Sequence, residues 1–389
     1  MMESMMIVGG NARTFAMIEA FKSLLKSTQI LSGPSLRDAN PQDFVNLINV
    51  NFEFLRRSRE PSAGMTHVKE FLVRRVVALL SQGEKSRFSA DDLFSPLMRG
   101  NQQRAVEIEG SPLTHDGRGE STSLDGDPRE MTLNVLRGIE KELQLSTKSI
   151  VEDRSLSHLS SNDTILVFGR SSTVELILLG AASNPRLTVK PKVIVVDSAP
   201  LYEGRALAKR LTCSGLSVTY GLITTCCTLM PRCTRVFIGA AAVLQNGDVF
   251  SRCGTAVVVA SAKQYRKPVL CFSESFKFVP EVWLGNLGQN TKLIDVRQSH
   301  QGEHRVHSPG GWSPPSHHKN EIEGRQWSRG EENPHMRSGI TTASGYLYDL
   351  TPAAYVDMII CEMGCLHTSA IVAALRDRED RDAYLISAV

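Results

Sequence analysis

Thr164-Ile-Leu-Val-Phe-Gly169 decides how this chain folds. A short apolar run stops at a glycine, and Arg170-Ser-Ser-Thr173 then leads into a helical pattern. The same succession recurs downstream. Val193-Ile-Val-Val196 stops at Asp197-Ser-Ala-Pro-Leu-Tyr-Glu-Gly-Arg205 and again becomes helical. Val218–Ile223, Arg235–Gly239 and Pro268–Phe272 are further runs of this kind. Short runs bounded by Gly, Asp and Ser and separated by helix-length segments read as βαβ units. They do not alternate apolar with polar residues, so they predict strands buried on both faces, as in a parallel sheet covered by helices. Each crossover is then right-handed. A ligand of such a sheet sits at the carboxyl ends of the strands, at a switch point. Those ends are Gly169, Asp197, Thr224, Gly239 and Ser273.

Upstream of the sheet the apolar period changes to that of helices. Phe15, Ile18, Phe21, Leu24 and Leu25 share one face of a helix over 13–30, with Asn11 as its cap and Ser32-Gly-Pro34 as its end. Pro41 opens a second helix over 41–58, and after the turn Arg56-Arg-Ser-Arg-Glu-Pro61 a third runs from about Ser62 to Leu80. Antiparallel helices joined by short loops form a bundle. Residues 99–129 are rich in Gly and charge, lack an apolar period, and read as a loop or disordered insertion. Helical character returns from Thr132 to about Leu159.

The pattern fails again over 298–340, which holds six of the ten histidines. A His-rich tract can bind metal, but scattered ligands without Cys favour a mobile surface insertion. Beyond it, Thr351 and Pro352 predict a helix start, with Tyr355, Met358 and Ile359 on its face and Gly364 at its end. The apolar run Ser369–Leu375 precedes a charged tail, Arg376 to Arg381. The fold class is therefore α/β: an N-terminal helical bundle, then a Rossmann-like, mostly parallel sheet with helices on both faces. Its parts are a helical domain over 1–98, a flexible insertion over 99–131, a connecting helical segment over 132–160, and an α/β domain over 161–389 carrying the disordered insertion at about 298–340.

With 389 residues, two or three domains and a large core are expected. The net charge of +3 is too small to point to nucleic acid or a membrane surface. No apolar run reaches the ~18 residues of a membrane span. The start, Met1-Met-Glu-Ser-Met-Met-Ile-Val, has no basic n-region, so no secretory signal is read. The eight cysteines fall mostly inside apolar patterns without a CxxC pair, which predicts reduced, buried thiols and no metal site.

Neither Gly-x-Gly-x-x-Gly nor a P-loop follows the first strand, so no nucleotide cofactor is expected. Ser171, Ser172 and Thr173, at a helix start, either hold an anion against free amides or cap the helix. Arg252, in the strand-to-helix turn Ser251-Arg-Cys-Gly-Thr255, either binds a phosphate or pairs with Glu203 or Asp248. Asn246-Gly247 signals a tight turn. No Ser/His/Asp or Cys/His arrangement is legible, because five of the ten histidines fall between His300 and His318.

On these residues the chain resembles the regulatory subunits (alpha, beta and delta) of eukaryotic translation initiation factor 2B, the guanine-nucleotide exchange factor for initiation factor 2. The matching stretches are Ile165–Gly169, Val193–Ser198, Pro200–Arg205, Ile238–Ala240, Asn246-Gly247, Ser251–Thr255 and Lys267–Val269. Gly10-Asn-Ala-Arg13, Arg59–Met65 and Leu347–Pro352 are most similar to the delta-type members. The resemblance fails over 99–129 and 298–340. It implies a non-catalytic, cytoplasmic subunit of a hetero-oligomer. The implied partners are beta-type and alpha-type subunits, the gamma/epsilon catalytic subcomplex, and the alpha subunit of initiation factor 2, whose phosphorylation the assembly senses. Phosphoserine favours Arg-rich surfaces, so Arg56, Arg57, Arg59, Arg74 and Arg75 are expected to face that partner.

The same fold family includes sugar-phosphate isomerases such as methylthioribose-1-phosphate isomerase, which use a Cys after the first strand and an Asp in a Gly-Ala-Asp motif. Gly169 and Ala241 hold those positions here, and neither can move a proton. The strand ends, with Gly169, Arg170, Ser171, Ser172, Asp197, Asn246 and Arg252, then form a vestigial ligand pocket. The alternatives are an isomerase working through a rearranged site, or a site that binds a sugar phosphate without turnover.

Overall fold

A computed structural model describes residues 9–27, 41–81, 128–185, 187–199, 201–283 and 346–387. The five predicted runs form β1 (Thr164–Phe168), β2 (Lys192–Asp197), β3 (Val218–Leu222), β4 (Arg235–Gly239) and, after two further strands, β7 (Val269–Phe272). All pair in parallel, in the order β7-β4-β1-β2-β3. Because every second side chain points to the same face, Ile165 and Val167 face one layer while Leu166 and Phe168 face the other. The first layer holds α5 (Ser172–Ser183) and α6 (Glu203–Cys213) through Ile177, Leu178, Leu207 and Leu211. The second holds the short α7 (Cys226–Leu229), α8 (Thr255–Gln264) and α9 (Ile371–Ser387) through Leu229, Val258, Val259, Ile371 and Leu375. Each such buried side chain contributes about 1.5–3 kcal/mol, and this double coverage is why the runs show no alternation.

The region after the 298–340 tract departs from its predicted helix. Tyr348–Thr351 is a strand (β9), Ala353–Tyr355 is a single 3-10 turn, and Met358–Cys361 (β10) and Gly364–Leu366 (β11) are strands. β10 adds to β7 in parallel and β11 returns antiparallel to β10, completing a seven-stranded sheet. Pro352 is extended, and the apolar Met358-Ile-Ile-Cys361 is drawn into the sheet by the open edge of β7. The charged tail is no tail: α9 runs through it, with Arg378 and Asp382 buried.

A smaller sheet flanks the first, in the order β8-β5-β6-β9, from β5 (Ala242–Leu244), β6 (Val249–Arg252), β8 (Phe278–Val279) and β9. β5 and β6 form an antiparallel hairpin across Asn246-Gly247, where the Gly247 amide donates to Leu244 O at 2.8 Å.

The N-terminal bundle comprises α1 (Gly10–Ser27), α2 (Pro41–Ser58), α3 (Ala63–Ser81) and α4 (Pro128–Ser149). Its core contains Phe21, Phe44, Ile48, Leu72 and Leu136. α4 begins inside the span read as flexible insertion and continues through a π-helical turn, Ile150–Arg154. Asn11 lies within α1 rather than capping it. The predicted stop at Ser32–Pro34, the rest of the 99–131 insertion and the whole of 298–340 lie outside the described residues.

Candidate functional site

In the large sheet β1 lies between β2 and β4, so the chain reverses direction across the sheet there. A ligand crevice belongs at the ends of β1 and β4. Gly169 ends β1 with φ +57°, a conformation that disfavours any side chain, and its amide donates to Val196 O at 2.8 Å. Ser171 is the N-cap of α5, accepting from the Val174 amide. Its hydroxyl also lies against Gly239 at the end of β4, where a methyl group would collide with it. Ser171 thus caps the helix and packs against Gly239. Ser172 is exposed and Thr173 buried.

The remaining predicted residues are bound into internal contacts. Arg170 donates to Glu175 at 2.9 Å, and Arg210 takes the other side of the same carboxylate. Burial pushes the Glu175 carboxyl up, but the two guanidiniums outweigh it and leave it below the usual range. Asp197 is buried and accepts from the amides of Ser198 and Arg205 and from the Tyr220 hydroxyl, each at 3.0 Å. It therefore ties the 198–205 loop to the start of α6. Glu203, the first residue of α6, receives Arg252 in a two-pronged contact at 2.7 and 2.8 Å. Arg252 also lies 5.0 Å over the Tyr348 ring. Asn246 stays within its own hairpin, bonded to Asp248.

Arg252 has company that linear spacing does not reveal. Arg13 of α1 is 3% exposed, and its pKa is lowered to about 10 by burial and by the positive charges of Arg59 and Arg252, against a hydrogen bond with Tyr348. Its Nη2 donates to Glu60 O. Arg13 Nε and Arg252 Nη1 are buried without a hydrogen-bond partner among the described residues. Arg13 lies close enough to Arg59 and Arg252 to feel both charges, and Arg presents planar paired donors matched to phosphate or carboxylate oxygens. The sequence singles out Arg252 for such a role, and places Arg59 on an outer face instead.

A second buried polar centre lies just past β7. Glu274 is fully buried and accepts from Asn11 (2.8 Å), Thr147 (3.0 Å) and Thr173 (2.9 Å), and pairs with Lys277 at 2.7 Å. Burial alone pushes its carboxyl up, but Lys277 and the hydrogen bonds outweigh that and hold it at about 2. Beside it, Glu362 accepts from the Ser275 amide and hydroxyl, and Arg378 donates to the carbonyls of Ser275 and Phe278. Phe276 enters the bundle core. One short segment, Ser273–Phe278, thus fastens bundle to sheet.

Of the expected partner-facing arginines, Arg56 and Arg57 are exposed. Arg74 is about half exposed and lies 3.9 Å from Asp382 of α9. Arg59 and Arg75 are buried, which corrects the expectation for both. Arg75 falls on the stripe of Val68, Leu72 and Val76, one helical step away from the outward Arg74, and burial lowers its pKa to about 10. The thiols also depart from expectation: all eight are free, but Cys213, Cys227, Cys253 and Cys365 are exposed. Among the described residues no three metal-ligating side chains cluster, and no helix is long and apolar enough to cross a membrane.

These features define a protein class: a doubly covered, mostly parallel sheet joined to a helical bundle, with arginines among its strand-end residues. The initiation factor 2 subunit family (IF-2B) matches residues 6–368, and the chain belongs to that family. Translation initiation factor eIF2B subunit delta of Dictyostelium discoideum is 27% identical over 376 residues, covering 95% of this chain and 49% of the relative. The chain thus spans about half the length of that relative. Ribose 1,5-bisphosphate isomerase of Thermococcus kodakarensis is 29% identical over 312 residues, covering 77% of this chain and 86% of the enzyme. In fold, the chain is similar to a structure of the tetrameric eIF2B-beta2-delta2 complex from C. thermophilum, with a TM-score of 0.54 and 16% identity over 96% of this chain and 90% of that one.

Proposed function

We propose that this chain is a delta-type, non-catalytic regulatory subunit of the guanine-nucleotide exchange factor for initiation factor 2. It contributes to assembly and to sensing phosphorylation of that factor's alpha subunit. The observation that carries this reading is the match to a delta subunit along 95% of the chain. Gly169 and Ala241 support it, because ring opening of a sugar phosphate needs an ionisable group within hydrogen-bond reach. Its partners are beta-type and alpha-type subunits and the gamma/epsilon subcomplex, in the cytoplasm. Sensing is then a coupling free energy between partner binding and assembly conformation, with the exposed Arg56, Arg57 and Arg74 as the surface that meets phosphoserine.

Co-expression with a beta-type subunit tests assembly, and reversing the charge of Arg56 and Arg57 in the reconstituted factor tests sensing. The expected result is a stable complex whose preference between phosphorylated and unphosphorylated partner falls about five- to tenfold in the variant, a coupling loss of about 1 kcal/mol. Unchanged affinities for both partners would remove these arginines from the sensing surface.

One observation favours a second reading alongside the first: the unpartnered N–H groups of Arg13 and Arg252 suit a phosphorylated small molecule held without turnover. Calorimetry with ribose 1,5-bisphosphate is expected to show binding weakened at least tenfold by Arg252→Ala, a loss of about 1.4 kcal/mol, and no isomerised product. Absence of heat in the unaltered chain contradicts this second reading alone.

A further inference from the structure

Cys365 lies in β11, the outermost strand of the large sheet, and its thiol is exposed. In the β10–β11 ladder it stands opposite Ile360. Residues opposite each other across antiparallel strands share a face. Ile360 belongs to the layer that also contains Ile150 and Leu159, so Cys365 emerges on the side where the chain between α4 and β1 packs. The 3-10 turn Leu156–His158 brings an imidazole there, with His158 Nε2 3.2 Å from Cys365 Sγ. The turn itself is held: Arg235 donates to the His158 carbonyl at 2.9 Å, and Leu159 beyond it is buried.

Burial and the Arg235 charge lower the His158 pKa below the ordinary histidine value. The 3.2 Å contact places Nε2 within hydrogen-bond reach of the thiol, so it can take the proton as Sγ attacks. Exposed Cys227 has the Ser261 hydroxyl at 3.8 Å and no imidazole contact among the described residues. Among the described residues no imidazole contact is recorded for Cys213 or Cys253, and burial pushes the Cys253 thiol up, away from thiolate. Thiol reactivity follows thiolate character and access, and an adjacent base is one of the ways a nucleophile is activated.

We propose that Cys365 and His158 form a reactive thiol–imidazole pair, a modification site for low-molecular-weight disulfides. In the exchange, the Sγ proton passes to Nε2 and Sγ attacks one sulfur of the disulfide. A new S–S bond forms at Cys365 while the other sulfur leaves as a thiolate, which recovers the proton from the imidazolium. Cys365 is oxidised, the departing half of the reagent is reduced, and no further oxidant is needed. His158 is a positioning base in this step, and the product places a bulky polar group on β11, the edge strand among the described residues.

The test is treatment of the full chain with oxidised glutathione, quenching over time, and peptide mass spectrometry of each exposed cysteine across pH 6 to 9. Cys365 is expected to form the mixed disulfide about tenfold faster than Cys213 or Cys253 at pH 7. His158→Gln should slow Cys365 to the rate of the others and move its pH profile upward, with the rates at Cys213 and Cys227 unchanged. Those two rates report whether the variant is still folded, and the pH profile of the unaltered chain is independent of any substitution. Equal rates at Cys365 and Cys213 in the unaltered chain, or an unchanged Cys365 profile in His158→Gln, overturn the proposal.

Discussion

Glu274 draws its donors from three helices and from the turn that follows β7. Breaking a buried pair by removing one partner costs about 3–5 kcal/mol, because the remaining charge stays buried. Glu274→Ala, which strands Lys277, is expected to lose that much in urea unfolding. The pH dependence has a definite sign. Its folded pKa of about 2 lies below the ordinary 4.5. Its stabilisation is therefore complete above about pH 4.5 and is lost as pH falls towards 2. Glu274→Gln should flatten that segment of the stability profile, and an unchanged slope would show that the charge contributes nothing. None of this is legible in Ser273-Glu-Ser-Phe-Lys277 read as text. The partners Asn11, Thr147 and Thr173 lie 263, 127 and 101 residues away, and only the fold brings them together. Arg13, Arg59 and Arg252 meet in the same way.

At the scale of elements, α8 shows how one strand completes another element. Its N-cap is Gly254, which has no side chain, and Asp349 of β9 accepts from the amides of Gly254 and Ala256 at 2.7 and 3.1 Å instead. Burial pushes the Asp349 carboxyl up from 3.8 to about 6, against those hydrogen bonds. The folded state therefore holds the proton more tightly than the unfolded one, so this group's contribution is fully present below about pH 4 and lost as pH rises through 6. Asp349→Asn should remove that slope while keeping an acceptor for the helix. Asp349→Ala should cost about 1–2 kcal/mol, as loss of a cap does. Equal stability of all three across pH 4 to 8 would show that the cap is idle. The parallel strands β1 to β4 and β7 are legible because burial on both faces leaves continuous apolar runs. β10 is not, because a four-residue apolar run after Thr351-Pro352 satisfies a helical template as well as a strand. What decides it is the unfilled edge of β7, which is a property of the fold rather than of the segment.

For the molecule as a whole, the switch point of the sheet is where Ser171 meets Gly239 at the end of β4. Position 169 is occupied by a residue in a left-handed conformation, and position 241 by a methyl group. The exposed Val50 and Phe54 of α2, at 69% and 68% exposure, leave apolar area on the bundle. Under the proposed function this chain is one part of a larger assembly, and Arg170, Asp197 and Arg252 hold internal contacts. Capture of the chain from its native cytosol, followed by mass measurement of the intact captured species, tests this most directly. The proposed function predicts a hetero-oligomer containing beta-type and alpha-type subunits. Recovery of the chain alone, as a monomer or a homo-oligomer, would contradict it.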